Sequence, residues 1–241
     1  MTMKVGILAF GLYMFAAPAA YAQMTWTDMG FVNASLGIQS GSRTLTTSST
    51  FDYLEEQASL DTTQDVDGAA FLDISGGYKV WRNLAVAIGF SRMKSDSDVT
   101  FTAAIPDPVA TDRPRSVSGS AAGAEHKEQA FHFMGVWMVP VTDKIDVGVS
   151  AGPTIFQVSQ DIPSAITVSE PGPTVTGTTL TSADKTTIGL NLGVDVTYLV
   201  RPDIGAGLLV RYTWGSADLQ GATDKLTVGG FQIGIGARYR F

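Results

Sequence analysis

No cysteine occurs in the 241 residues, so the chain has no thiol nucleophile, no thiolate metal ligand and no disulfide. Imidazole chemistry could come only from His126 and His132, with Glu128 between them. The even spacing puts all three on one face of an extended strand. Residues six apart on a strand lie about 20 Å apart, so the two histidines cannot share a metal ion. Neither stands in a nucleophile–base–orienter arrangement. The chain is read as non-enzymatic, without cofactor or metal; His132 is expected to face an interior and His126 to be exposed at a rim. Charged residues say more. Asp73, Asp195 and Arg211 fall at the polar positions of alternating segments and are expected to face an enclosed lumen, with Gln232 and Asn33 near the same height. Asp195 is placed diagonal to Arg211, and the two are expected to pair because an unpaired buried charge is costly.

The elements that would position these residues follow a period of two. Phe231, Ile233, Ile235, Ala237, Tyr239 and Phe241 alternate with Gly230, Gln232, Gly234, Gly236, Arg238 and Arg240. The same rule runs through about 28–41, 68–80, 84–95, 127–139, 145–158, 188–198 and 204–214, which predicts eight strands. The segment 127–139 follows it least well, because Met134, Val136 and Met138 occupy its polar face. The opposite faces hold mostly Gly, Ser, Thr, Asn and isolated charges. Apolar faces carry aromatics at both ends: Tyr78, Tyr198, Tyr239 and Phe241 at one level, Phe90, Tyr212, Trp214 and Phe231 at the other. Two aromatic girdles around an aliphatic band are what the two interfaces of a bilayer select.

Short turns at Trp81-Arg82-Asn83, Pro140–Lys144 and Arg201-Pro202-Asp203 alternate with long polar loops near 43–67, 96–125, 159–184 and 217–225. That is the connection pattern of an all-β, eight-stranded antiparallel up-and-down transmembrane barrel. A ten-stranded form would need a further membrane hairpin within 96–125, which Pro106, Pro108 and Pro114 oppose. At the N-terminus, Lys4, the apolar run Val5–Phe15 and Ala20-Tyr21-Ala22 have the form of a cleaved signal peptide over 1–22, leaving 23–241 as the barrel domain. Only 16% of residues are charged and the formal net charge is −7, so no basic field invites nucleic acid. Gly234-Ile235-Gly236 precedes no helix and is no phosphate loop. Asn33-Ala34-Ser35 lies within a strand and is a chance sequon.

The signal peptide, the hairpin spacing and the terminal Gly234-Ile235-Gly236-Ala237-Arg238-Tyr239-Arg240-Phe241 resemble the OmpA-like outer-membrane β-barrel family over essentially all of 23–241. The resemblance implies export to a Gram-negative outer membrane and recognition of Tyr239 and Phe241 by the barrel-assembly machinery, and a monomer in the membrane is expected. Small lipid A deacylase barrels carry His and Ser two residues apart; here the residue two after His126 is Glu128, so that pattern fails. The resemblance implies a structural or surface-interaction role for the loops, with two alternatives: a narrow porin-like channel for small solutes or a hydrophobic ligand, or, more remotely, lipid A modification. The lumen pair is then a plug or a gate, and inward Gly77, Gly89, Gly148, Gly152, Gly189, Gly193, Gly207 and Gly234 would leave room for water. Arg92, Lys94 and Lys127 continue the outward parity to the rim, where they are expected to contact membrane lipid and lipopolysaccharide phosphates. The acidic set Asp52, Glu55, Glu56, Asp61, Asp65 and Asp67 fits no EF-hand and is expected to solvate its loop.

Overall fold

The computed structural model describes residues 25–110, 113–219 and 221–241, so the expected signal peptide at 1–22 lies outside the described residues. Ten strands follow in order: β1 (Gly30–Ser40), β2 (Arg43–Tyr53), β3 (Glu56–Val66), β4 (Ala70–Trp81), β5 (Leu84–Ile105), β6 (Arg115–Thr142), β7 (Ile145–Ser169), β8 (Thr174–Leu199), β9 (Ile204–Ala217) and β10 (Leu226–Arg240). Eight of them close a ring, β1-β4-β5-β6-β7-β8-β9-β10 and back to β1, every neighbour antiparallel. The chain is therefore an eight-stranded up-and-down barrel. Closure leaves the ring without a free edge at this level. The expected short turns join β4–β5, β6–β7 and β8–β9 at one end.

Alternation sorts the wall as expected. Leu36, Ile38, Ile88, Ile188, Leu192 and Ile235 are exposed on the outside, while Asn33, Ser35, Asp73, Ser75, Ser91, Asn191 and Arg211 are buried inside. Tyr78, Tyr198, Tyr239, Phe241, Tyr212, Trp214 and Phe231 are all exposed outward. The register sets Phe231 beside Tyr212, and Phe90 beside Phe131, at one level. Met134, Val136 and Met138, which disturbed the pattern of the fourth predicted strand, are buried in the lumen against Trp26, Phe31, Ala85 and Ala87. The strand is regular; its inward face is simply apolar there.

Three of the four expected loops are largely strand. The segment 43–67 forms the extra hairpin β2–β3, turned through Leu54 and Glu55 at positive φ, and β3 pairs with the far half of β5. The segments 96–125 and 159–184 prolong β5–β6 and β7–β8 far past the ring, and Pro106, Pro108 and Pro114 sit at or beside the tip of the former. The added strands are thus β2 and β3, outside the ring, rather than a further hairpin from 96–125.

Along β5 the apolar parity inverts. Val86 and Ile88 are exposed on the outer face, whereas Val99, Phe101, Ala103 and Ile105 point inward and are buried. The inward residues of this extension join Ala58, Leu60, Val117 and Ile166 in a second apolar core. An apolar outside suits hydrocarbon and an apolar inside suits water. The switch falls between Phe90 and Val99, past the aromatic level.

Candidate functional site

The lumen is filled in layers. At the short-turn end Trp26 enters from the N-terminal segment and packs on Phe31, with ring centroids 6.4 Å apart. Its backbone N–H donates to Asn83 Oδ1 at 3.2 Å, and Lys79 Nζ donates to its carbonyl at 2.9 Å. Nothing in the alternation extends to residue 26, so the sequence pattern passes over this plug.

Above it lie the ion pairs, in a different arrangement from the expected one. Arg211 Nη1 donates to Asp73 Oδ2 at 2.7 Å, with the two side chains 2% and 1% exposed. Asp195 instead receives Arg238, through Nε at 2.9 Å and Nη2 at 2.5 Å. The register does set Asp195 diagonal to Arg211, with Arg211 beside Gly193 and Asp195 beside Leu209, yet the expected pair does not form. Long guanidinium side chains reach across the lumen instead of along the wall. Asn33 and Gln232 are not at one height either. Asn33 accepts from Arg240 at 3.0 Å, while Gln232 donates to Gln39 Oε1 at 2.7 Å, six residues further along β1.

The inward glycines do not leave water-filled space. A Cβ on Gly207 would lie 2.4 Å from Arg238 Nε, on Gly77 2.6 Å from Phe31, and on Gly189 2.8 Å from Phe156. Their missing side chains make room for large neighbours. What remains beside Asp73, Asp195 and Arg211 is a cavity of about 30 Å³, the scale of one or two waters. Arg211 Nε, Asn191 Oδ1 and Gln232 Oε1 are buried without a partner among the described residues, and trapped water would satisfy them.

His132 lies one layer higher, with Ser91 Oγ 3.0 Å from Nε2 and Thr154 Oγ1 2.9 Å from Nδ1. This superficially resembles a nucleophile and base. However, the third group is a hydroxyl that accepts from Asn191 at 2.9 Å, and Ser91, His132 and Thr154 are all buried. No substrate can approach the serine, and no carboxylate orients the imidazole.

His126, expected at an exposed rim, is buried too. Its Nε2 lies 3.1 Å from Glu128 Oε1 and its Nδ1 2.7 Å from Gln160 Oε1. Glu128 also accepts from Arg43 Nη1 at 2.8 Å, from Gln39 Nε2 at 2.9 Å and from the Gly229 N–H at 3.1 Å. Arg43 begins β2, so this carboxylate ties the added hairpin to the ring. Beside it, Leu45, Phe156, Val158, Leu219, Leu226 and Val228 complete the layer with an apolar cluster. Among the described residues no group of three or more His, Cys, Asp or Glu could hold a metal.

Two charged sets remain outside the lumen. At the far tip, Arg115 donates to Glu170 Oε2 at 3.0 Å and Tyr53 to Glu170 Oε1 at 3.0 Å, clasping β6, β7 and β2 together. The Arg115 hydrogen bond holds the Glu170 carboxyl below its usual range, and the Val109 N–H does the same for Asp107. On the outer wall, Arg92 and Lys94 are exposed as expected, and Lys127 is half-buried. Lys94 and Lys127 face each other across β5–β6 and both contact Glu125.

No family model matches the chain, and no curated protein matches it. Among solved structures it is similar to Neisserial surface protein A (13% identity, 88% of this chain and 97% of that one, TM-score 0.45). It is also similar to the outer membrane protease OmpT of Escherichia coli (11%, 90% and 98%, 0.44) and to the outer membrane protein AlkL (17%, 91% and 93%, 0.38). Likenesses this loose carry no role across to this chain. The barrel stands on its own closed ladder of strand pairs.

Proposed function

We propose that this chain is a non-enzymatic outer-membrane barrel with a closed lumen, whose working surface is the strand extension beyond the long-loop rim. The inversion of apolar parity along β5 supports the membrane placement. The layered lumen supports a structural or surface-presenting role over passage of solutes: a plug around Trp26, two Arg–Asp pairs, the Glu128 network and its apolar cluster lie in series. On this reading the short turns are periplasmic and the tips of β2–β3, β5–β6 and β7–β8 extracellular. Tyr239 and Phe241, stacked at 6.0 Å on the outer face of the last strand, stand where the barrel-assembly machinery would read them.

Planar-bilayer recording tests the closed lumen. The purified barrel is expected to give no steady conductance, and Arg211→Ala none either, since the Trp26 and Glu128 layers persist. Steady opening altered by Arg211→Ala would establish a gated channel and overturn the proposal.

A further inference from the structure

The outer wall below the cations is hollowed rather than smooth. Two adjoining apolar grooves of about 550 and 560 Å³ share Gly76, Ile88 and Phe133. The register stacks the wall in rows on β5 and β6: Lys94 with Lys127, Arg92 with Gln129, Phe90 with Phe131, Ile88 with Phe133, and Val86 with Gly135. From Arg92 to Ile88 the column runs about 13 Å, close to one leaflet of a hydrocarbon core about 30 Å thick; Val86, beside Tyr78, lies past it towards the short turns. Gly135 opens the lower groove, for a Cβ there would meet only the Ala151 carbonyl, at 4.0 Å.

The head of the column carries three cations, Arg92, Lys94 and Lys127, beside the carboxylates of Glu125, Asp96 and Asp161. Lys94 and Lys127 both pair with Glu125, and Lys94 lies 3.9 Å from Asp96. Arg92 makes no ion pair among the described residues, although it is exposed directly above the Phe90–Phe131 pair. A guanidinium free at the interface is a bidentate phosphate ligand waiting above an apolar channel.

We propose that Arg92, Lys94 and Lys127, with the upper groove at Gly76, Ile88, Phe90 and Phe131 beneath them, form a discrete site for a phosphorylated, acylated lipid of the outer leaflet, the lipid A part of lipopolysaccharide. This rests on the outer-membrane placement above. The upper groove, about 560 Å³, takes an acyl chain, and cations on two strands reach more than one phosphate. A second copy of the barrel at the same depth would bring its own cations against these, so the charge favours the lipid.

The test measures lipid retained by the detergent-purified barrel in native mass spectrometry, with purified lipid A and phosphatidylglycerol as probes. The parent protein is expected to retain lipid A in the presence of equal phosphatidylglycerol. Arg92→Gln, which removes the charge, and Gly76→Leu, which fills the upper groove, should each lower retention about tenfold, roughly 1.4 kcal/mol of binding. Retention by both variants equal to the parent's, or displacement by phosphatidylglycerol, would overturn the site. Heat-modifiable migration checks that each variant is folded. Membrane fractionation separates the two proposals: a parent absent from the outer membrane sinks the placement, whereas a parent present there with unaltered variants sinks only the site.

Discussion

Asp73→Ala is expected to destabilise the barrel by about 3–5 kcal/mol, the usual loss when one partner of a buried ion pair is removed. Arg211 would keep its charge inside a lumen where its side chain is 2% exposed. Its Nε already lacks a partner among the described residues, so the mutation leaves a guanidinium short of acceptors on two sides. Asp195 borders the same cavity, but Arg238 holds both of its oxygens and it cannot serve as a free substitute. Replacing both members with apolar residues of similar size, Asp73→Leu with Arg211→Met, should recover most of the loss, since well-packed apolar replacements of buried pairs are often neutral. Denaturant unfolding in lipid vesicles, followed by tryptophan fluorescence, gives both numbers. A loss below about 1 kcal/mol for the single variant, the range of exposed pairs, would mean that Arg211 is hydrated rather than sealed.

Gly236→Val should cost more still and prevent closure. Gly236 lies on the seam where β10 meets β1, opposite Ser35. A Cβ there would stand 1.8 Å from the Ala34 carbonyl oxygen and 2.7 Å from Ser35 Cα. Both obstacles are backbone of the neighbouring strand, so no side chain can turn aside to admit it. The expected penalty is at or above the roughly 3 kcal/mol upper end of ordinary overpacking, and it falls on the contact that makes a sheet into a ring. The folded, heat-modifiable band should be lost. Gly135→Ala, with open space on the outer wall, is the matched control and should fold normally. Normal folding of Gly236→Val would show that β1 and β10 can part at the seam without loss of the ring.

How much of this is legible in the sequence depends on what each feature answers to. The ring was readable because one partition, hydrocarbon outside and a closed interior inside, imposes period two on every crossing strand. Leu208, Val194 and Ile233 declare it residue by residue. The extension was read as loop because its exposed face is Thr, Ser and Asp. Yet Val99, Phe101, Ala103 and Ile105 carried a signal: the same strand with its apolar positions moved to the opposite parity. The ion pairs were half legible. Polar parity places Asp73, Asp195, Arg211 and Arg238 inside, but a long side chain crossing a lumen chooses its partner by three-dimensional reach, which strand spacing does not encode. Trp26 belongs to no periodic segment, and its docking depends on the mouth that β1, β4, β5 and β6 assemble around it. His126 was misplaced because the rim expected at its position is covered by Arg43 and the added hairpin.

The absence of native cysteine allows the central claim to be tested cleanly, by placing single cysteines along β5 and reading each with a fluorophore and lipid-borne quenchers. Labels at Val86 and Ile88 are expected to be quenched from within the bilayer, while labels at outward Thr100 and Thr102 respond only to aqueous quencher. Aqueous access at Val86 and Ile88, or quenching by lipid as far as Thr102, would contradict a barrel whose apolar surface turns from outside to inside where β5 leaves the membrane.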